Sequence, residues 1–287
     1  MPLRLGRRVF ADTDLLVMAI VNRTPDSFYD RGATFSDEAA LAAVEVAVRD
    51  GADIVDIGGV KAGPGEAVDA AEEARRTVPL IREVRARHPE LVISIDTWRA
   101  EVGAAAAEAG ADLLNDTWSG ADPDLAVVAA RTGTGLICTH AGGLAPRSRP
   151  HRPSFPDVVG DVVSTVTRLA ERAVEVGVRT DGILIDPAHD FGKNTWHSLT
   201  LTRELEKLVA TGWPVLVALS RKDFVGETLD LGVDERLEGT LAATSISAWL
   251  GARVFRAHDV RATRRTLDMV ASIRGTRAPA FTRRGLA

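Results

Sequence analysis

Eight short apolar runs recur along this chain, and each of them ends on a polar or charged residue. The runs lack the alternation of apolar and polar side chains that marks a half-exposed strand, so they indicate strands buried on both faces of a parallel sheet. The carboxyl ends of parallel strands share one edge, where these polar residues should meet. They are Asn22, Asp56, Asp96, Asn115, Thr139 with His140, Asp186, Ser220 with Lys222, and Arg256 with His258.

Segments of helical character separate the apolar runs. Ser36 is a suitable N-cap for the first helix, and Pro89 should end the second. Strand and helix alternate through eight units in 287 residues, which predicts an α/β fold of the (β/α)8 TIM barrel type. The predicted helices are Ala39–Val48, Glu66–Arg87, Arg99–Ala109, Asp124–Arg131, Val158–Val176, Leu199–Ala210, Glu235–Leu250 and Val260–Ile273.

The main alternative is an open, doubly wound sheet that binds its ligand at a switch point. Eight nearly equal units would make such a sheet unusually large, and no Gly-x-Gly-x-x-Gly motif follows the first apolar run. No Pro-, Gly- or Ser-rich segment divides the chain. We therefore expect one barrel domain over residues 1–287, with a flexible, arginine-rich tail over about 276–287.

Composition narrows the class of partner. A net charge of -5 and a pI near 5.7 argue against nucleic acid, whose backbone attracts basic domains. No apolar stretch approaches the roughly 20 residues that span a bilayer, so we expect no membrane contact. Asp12 and Asp14 interrupt any signal peptide, and the single cysteine, Cys138, is compatible with a reducing compartment. We expect a soluble, cytoplasmic protein.

The carboxylates and amides of the mouth suit a flat, polar heterocycle. Asp96, Asn115 and Asp186 offer acceptors and one amide to a ring edge with N–H donors and a carbonyl, and Lys222 can balance their charge. A pterin or a purine fits this pattern. The alternative for each of the aspartates is that it only caps the helix that follows.

An anion site is also expected at the mouth. Arg256 and His258 form a compact cationic pair suited to a diphosphate, and the carbonyl of Asn22 could ligate a Mg²⁺ that carries it. The alternative is that His258 caps a helix while Arg256 pairs with Asp259. No His-x-His, His-Glu-x-x-His or Gly-x-Ser-x-Gly motif supports a protein-ligated zinc site or covalent catalysis.

A series of motifs, in order from the first strand to the last, resembles the dihydropteroate synthase family. The motifs are Asn22-Arg23-Thr24-Pro25-Asp26-Ser27-Phe28, Asp56-Ile57-Gly58-Gly59, Ser94-Ile95-Asp96-Thr97, Leu114-Asn115-Asp116, Asp186-Pro187 with Phe191-Gly192-Lys193, Ser220-Arg221-Lys222, and Arg256-Ala257-His258-Asp259-Val260. The resemblance implies a (β/α)8 barrel, usually a homodimer, that joins hydroxymethyl-dihydropterin diphosphate to p-aminobenzoate with Mg²⁺ and releases pyrophosphate. Sulfonamides mimic the benzoate in that family.

The resemblance also implies roles for individual residues. It gives catalytic roles to Asp26, on a loop that closes over the site, and to Lys222, Arg256 and His258. The residues implied for the pterin are Asp96, Asn115, Asp186, Phe191 and Lys222. Those implied for the diphosphate are Asn22, Arg256 and His258, with Asn22 as the metal ligand.

The chain departs from the family pattern around the second substrate. After Gly59 the family continues Glu-Ser-Thr-Arg-Pro-Gly, but this chain has Val-Lys-Ala-Gly-Pro-Gly, so the Thr and Arg become Ala62 and Gly63. That Thr helps to hold p-aminobenzoate and that Arg helps to lock the loops around the diphosphate. Losing one charge-assisted contact costs about 1.5 to 3 kcal/mol. Lys61 could replace the Arg, but it lacks the bidentate fork.

Three further positions depart on the strand ends. Arg23 stands in place of a Val and is a second candidate to replace the lost Arg. Asp223 follows Lys222 where the family has Ser or a basic residue, and it would repel a benzoate carboxylate. Thr139 stands in place of a Met. We therefore expect a divergent paralogue with little or no dihydropteroate synthase activity. The alternatives are an active synthase and, less favoured, a folate-dependent methyltransferase-like barrel.

Overall fold

A short antiparallel hairpin precedes the main sheet and closes its lower end. The computed structural model describes residues 1–24, 36–148 and 153–284. In it, β1 (Leu3–Leu5) pairs with β2 (Arg8–Phe10) around a turn at Gly6 and Arg7. Arg253 fixes the hairpin from the far end of the chain, because its Nη1 donates to the carbonyl of Met1 at 2.7 Å. The sequence-based prediction for Asp26 lies outside the described residues.

Eight parallel strands form the barrel. In space they run β8-β7-β6-β5-β4-β3-β10-β9, and a parallel bridge between Ile185 and Val215 joins the two outer strands. The barrel prediction is therefore confirmed, and the open-sheet alternative is wrong. The strands are β3 (Leu16–Asn22), β4 (Ile54–Gly58), β5 (Val92–Asp96), β6 (Leu113–Asp116), β7 (Gly135–Thr139), β8 (Ile183–Asp186), β9 (Leu216–Val217) and β10 (Val254–Ala257).

Helices follow the strands and cover the outside of the barrel. Ser36 caps the first of them as predicted, accepting from the backbone N of Ala39, and none of the helices in the described ranges is long and apolar enough to cross a membrane. Residues 276–284 form no helix or strand. The helices are α1 (Asp37–Arg49), α2 (Ala70–Arg87), α3 (Ala100–Ala109), α4 (Asp124–Thr132), α5 (Val158–Glu175), α6 (Thr195–Arg203), α7 (Glu206–Val209), α8 (Asp223–Leu229), α9 (Leu237–Trp249) and α10 (Val260–Ile273).

The core has two layers because neighbouring residues of each strand point to opposite faces. Side chains such as Val17 and Val55 pack outward against the helices. Side chains such as Met18 and Ile54 point into the barrel, where Leu5 of the hairpin packs among them. The hairpin therefore fills the bottom of the barrel and leaves the opposite mouth to the polar strand ends.

Four features of the fold differ from the sequence-based predictions. The second helix begins at Ala70, after the N-cap Asp69, and not at Glu66. The hairpin was not predicted, since strands of three residues give almost no periodic signal. A single helix over Leu199–Ala210 is wrong, because α6 begins at Thr195 with Asn194 as its N-cap and ends before α7. The short helix α8 was also missed, although Asp223 supplies the acidic first turn that favours a helix start.

Candidate functional site

The strand ends open into one cavity of about 500 Å³. It brings together every predicted pterin and diphosphate residue on the described part of the chain. The second loop, which joins β4 to α2 over residues 59–69, adds four residues, and α8 adds its first residue. The lining of the cavity includes Asn22, Asp96, Asn115, Asp186, Phe191, Lys222, Arg256 and His258, and also Lys61, Ala62, Gly63 and Asp223. Two of the predicted rim residues do not line the cavity: Asp56 is fully buried, and His140 is buried with its Nε2 2.7 Å from Asp161 Oδ2.

Arg256 occupies the centre of the charged network. Its Nε donates to Asp56 Oδ2 at 2.6 Å, and its Nη2 donates to Asp96 Oδ2 at 3.0 Å. The alternative pairing of Arg256 with Asp259 is wrong, because the Asp259 carboxylate accepts from Arg221 instead. Arg256 thus reaches the cavity with its guanidinium held by two carboxylates from neighbouring strands.

Asp56 is a supporting residue that the motif comparison did not single out as a ligand contact. It is fully buried beneath the cavity and accepts from Ser94 Oγ at 2.6 Å and from Asn115 Nδ2 at 3.1 Å, besides Arg256. One carboxylate therefore orients both the amide and the guanidinium at the mouth. The sequence signal that could have identified Asp56 is its position directly before Ile57-Gly58-Gly59.

Asp96 faces the cavity beside this anchor and accepts a hydrogen bond from Thr117 Oγ1. Burial raises the pKa of Asp96, the charge of Arg256 partly opposes this shift, and the charge of Asp56 adds to it, so that the pKa is about 7. The capping alternative is wrong for Asp96, because α3 has Arg99 at its N-cap and no side-chain cap. The carboxylate is thus available to a ligand and titrates near neutral pH.

Asp186 and Lys222 also line the cavity. Burial raises the pKa of Asp186 and lowers the pKa of Lys222, and each charge partly offsets the shift of the other. Lys222 Nζ lies 5.1 Å from the ring centroid of Phe191, which in turn packs against Trp118 at 5.5 Å. Two aromatic rings and a cation therefore flank the hydrogen-bonding edge, an arrangement suited to a flat heterocycle.

His258 does not form the cationic pair that the sequence suggested. Burial, reinforced by the charge of Arg256, lowers the pKa of His258 to about 3, so its ring is neutral at physiological pH. Its Nδ1 lies 3.0 Å from Ser220 Oγ, which also accepts from the His258 backbone N at 3.2 Å. Positive charge for an anion therefore comes from Arg256 at this point, and His258 contributes a neutral ring.

Arg23 turns away from the cavity. Its Nε donates to the carbonyl of Arg76 on α2 at 2.9 Å, and its guanidinium pairs with Asp37 at the start of α1. Among the cavity-lining residues Arg23 is absent, so it does not replace the missing loop arginine. The hypothesis of compensation by Arg23 is wrong, and Lys61 alone of the two candidates lines the cavity.

The second loop is tied down through its backbone. Arg76 donates to the carbonyl of Gly59 at 3.1 Å, Arg99 to that of Val68 at 2.7 Å, and Arg147 to that of Glu66 at 2.6 Å. Its wall of the cavity presents Val60, Lys61, Ala62 and Gly63. Neither a hydroxyl nor a guanidinium stands on that wall.

The first turn of α8 completes the same end of the cavity. Asp223 is 66% exposed and accepts from Arg236 Nη1 at 2.9 Å, so its charge is balanced from outside the cavity. Lys193, which also lines the cavity, is buried with its pKa lowered to about 7 by burial and by Lys222. Its Nζ donates to the carbonyls of His140, Ala188 and Phe191, which makes it a brace for the strand ends.

Comparisons with known proteins agree with this geometry. A family model described as pterin binding enzyme matches residues 18–258. The inactive dihydropteroate synthase 2 of Mycobacterium leprae is 61% identical over 286 residues, covering 98% of each chain. The dihydropteroate synthase of Bacillus subtilis is 38% identical over 257 residues, covering 89% of this chain and 87% of that one.

A solved structure agrees with the barrel as well. The crystal structure of the Yersinia pestis dihydropteroate synthase with a sulfonamide drug complex superposes with a TM-score of 0.90 and 33% identity, covering 96% of this chain and 100% of that one. Fold, rim residues and similarity along nearly the whole chain all lead to one family. The chain belongs to the pterin binding enzymes, in the dihydropteroate synthase family.

Proposed function

We propose that this protein binds a pterin but does not carry out the dihydropteroate synthase reaction. The observation that carries the proposal is the contrast between the two ends of its cavity. At one end Asp96, Asn115 and Asp186 keep a full hydrogen-bonding edge. At the other end the second loop offers only Ala62 and Gly63 where the family has a hydroxyl and a guanidinium. The 61% identical relative that is named inactive supports the same conclusion.

Pterin binding follows from the hydrogen-bond donors and acceptors of the strand-end residues. The carboxylates of Asp96 and Asp186 would accept from ring and amino N–H groups, and Asn115 and Lys222 would donate to ring nitrogens and the carbonyl. Phe191 would pack against the ring. Because Asn115 and Arg256 are already held by Asp56, little reorganisation of these two side chains is needed on binding.

A diphosphate on the pterin would lie near Asn22, Arg256 and His258. The described residues hold no cluster of three acidic, histidine or cysteine ligands for a metal. A single amide carbonyl is nevertheless compatible with Mg²⁺, which keeps most of its waters and binds largely through phosphate oxygens. We propose that Asn22 would hold such an ion, which would balance the charge of a diphosphate. We also propose that Lys222, Arg256 and His258 keep the positions of catalytic groups without completing the site, and that Asp26 keeps the residue type at its place in the sequence motif.

The decisive experiment is calorimetric titration with 6-hydroxymethyl-7,8-dihydropterin diphosphate and Mg²⁺, followed by p-aminobenzoate. We expect binding of the first ligand, no measurable binding of the second, and no release of pyrophosphate that depends on p-aminobenzoate. The matched gain-of-function variant is A62T/G63R/D223S, which should bind p-aminobenzoate. Turnover of the unmodified chain within tenfold of an active synthase would contradict the proposal.

We also propose a cytoplasmic homodimer. Two adjacent helices expose four large apolar side chains, each more than half accessible: Ile246 and Trp249 on α9, and Met269 and Ile273 on α10. Exposed apolar clusters of this kind mark association surfaces. Sedimentation velocity should give a dimer that Trp249→Glu converts to a monomer, whereas Val127→Glu, a change at an isolated exposed valine on α4, leaves it intact.

A further inference from the structure

Arg147 links two loops that leave the barrel from strands three positions apart. Its Nη1 donates to the carbonyl of Glu66 at 2.6 Å, and its Nε donates to that of Gly63 at 3.4 Å. Both carbonyls belong to the second loop, which follows β4, whereas Arg147 follows β7. Because β5 and β6 lie between β4 and β7 in the barrel, these contacts span the ends of both strands. We call the two contacts the Arg147 bridge.

The loops that the bridge joins also form part of the cavity wall. Gly63 lines the cavity from the second loop, and Leu144 and Ser148 line it from the segment that carries Arg147. The strand ends that the bridge spans belong to β5 and β6, which carry the carboxylate and the amide of the proposed pterin site. The bridge therefore lies at the mouth of the cavity and not at its floor.

The other two arginines that contact the backbone of the second loop hold it near its ends. Arg76 donates to the carbonyl of Gly59, its first residue, and Arg99 donates to the carbonyl of Val68, next to its last. Arg76 lies on α2 and Arg99 caps α3, and these helices follow β4 and β5. Arg147 instead holds the middle of the loop, and it does so from across the mouth.

The backbone of Arg147 shows that an arginine is an unusual choice at this position. Its φ is 63°, in the left-handed region. It is the third residue of a turn after Pro146, which Ser148 closes by donating from its backbone N to the carbonyl of Ala145 at 3.2 Å. A turn with proline second and a left-handed third residue favours glycine in the third position. Glycine would relieve this strain but lose the bridge, so the side chain carries the role.

We infer that Arg147 is a positioning residue that fixes the second loop across the mouth and so sets the opening through which the heterocycle enters and leaves the cavity. The inference rests on the proposed pterin-binding function and deepens it. The bridge uses backbone carbonyls of the loop and none of the groups proposed to contact the ring. It should therefore control the rates of binding and release more than the affinity.

The test compares the full unmodified chain with Arg147→Gly in trypsin digestion without ligand and in stopped-flow binding of 6-hydroxymethylpterin. Glycine suits the left-handed turn, so the melting temperature should stay close to that of the unmodified chain. Cleavage after Lys61, in the second loop, should be about tenfold faster, as expected for the loss of one charge-assisted hydrogen bond. Association and dissociation rate constants should both rise, with Kd kept within about twofold.

The matched control is Arg179→Gly. Arg179 pairs with Asp181 at 2.6 Å and precedes β8, at the end of the barrel opposite the mouth. This change should alter neither the cleavage after Lys61 nor the rate constants. Arg147→Lys keeps the charge without the guanidinium fork and should restore only part of the protection from trypsin.

Two results would overturn the inference while leaving pterin binding intact. Unchanged cleavage after Lys61 in Arg147→Gly would show that the bridge does not fix the second loop. Unchanged rate constants in the same variant would show that the bridge does not set the opening. If the unmodified chain binds no pterin, the proposed function fails, and the cleavage rates alone decide whether Arg147 fixes the loop.

Discussion

Asp56 on β4 and Arg256 on β10 form a 2.6 Å ion pair that spans the intervening strand β3. The carboxylate is fully buried and also accepts from Asn115, so a residue outside the cavity sets the direction of two residues within it. Binding groups held in this way lose little freedom when a ligand arrives. The pair therefore connects the stability of the barrel with the shape of its site.

Replacing Asp56 with Asn should be strongly destabilising. The change leaves the Arg256 charge without its nearest partner, and breaking a buried pair costs about 3 to 5 kcal/mol. Denaturant titration should show this loss, and pterin affinity should fall with it. The control is Glu83→Gln, which removes an exposed partner of Arg87 and should cost about 0 to 1 kcal/mol. Equal effects of the two variants would contradict the prediction.

Pterin affinity should rise with pH around neutrality. Burial raises the pKa of Asp96 to about 7, and a ring that donates N–H groups needs the ionised carboxylate. Below the pKa, affinity should rise about tenfold per pH unit, and above it should level off. Calorimetry from pH 5.5 to 8.5 tests this, with Asp96→Asn expected to abolish the dependence. A flat profile for the unmodified chain would rule out titration of Asp96 in this range.

The same shift acts on stability with the opposite sign. The folded state holds the Asp96 proton more tightly than the unfolded chain, whose aspartates titrate near 3.9. The contribution of Asp96 to the free energy of unfolding is therefore fully present below about pH 4 and is lost as pH rises toward about 7. Denaturant midpoints of the unmodified chain and Asp96→Asn should be similar near pH 4 and should diverge as pH rises, because Asn cannot ionise and only the unmodified chain loses stability.

Pyrophosphate binding should depend on the positive charge of Arg256, whereas His258 should contribute only as a neutral ring. Burial and Arg256 keep the pKa of His258 at about 3, so the ring does not titrate between pH 6 and 8. His258→Gln should weaken pyrophosphate binding less than about tenfold, the value of one hydrogen bond, and leave its pH dependence unchanged. A pH dependence that disappears in His258→Gln would instead show a charged histidine. Arg256→Gln should cause the larger loss.

The hairpin should contribute substantially to stability. Leu5 packs inside the barrel with no exposed surface, so Leu5→Ala should lower the free energy of unfolding by about 2 to 5 kcal/mol. Val9, on the other strand of the hairpin, is largely exposed and provides the control. Val9→Ala should change stability by less than about 0.5 kcal/mol in the same denaturant titration. Similar losses for both would mean that the hairpin does not act through the core.

The sequence was sufficient to predict the barrel because strands buried in a parallel sheet consist of continuous apolar runs. Most runs end on a residue that the structure places on the cavity wall, as with Asp96 and Asp186, and the predicted helix Val260–Ile273 has the bounds of α10. Those predictions depended on the regular alternation of apolar runs with segments of helical character. Where the elements are short, as in α7 and α8, periodicity is too brief to be read.

The interactions among rim residues were beyond the sequence for a different reason. Arg23 has the charge to replace a lost arginine, but whether it faces the cavity or α2 depends on packing. The protonation of His258 likewise depends on burial, which no local pattern encodes. Asp56 and Arg256 stand 200 residues apart, so their pairing is visible only once the barrel closes.

The hairpin also has a consequence for how this chain reaches its fold. Leu3 and Leu5 dock among side chains that include Val254, and the carbonyl of Met1 accepts from Arg253. Leu3 and Leu5 are synthesised long before Val254, so they find their docking place only after the last strand has been made. Such distant contacts slow folding because the loop they close is nearly the whole chain. The N-terminal segment should be among the last parts to gain protection during refolding.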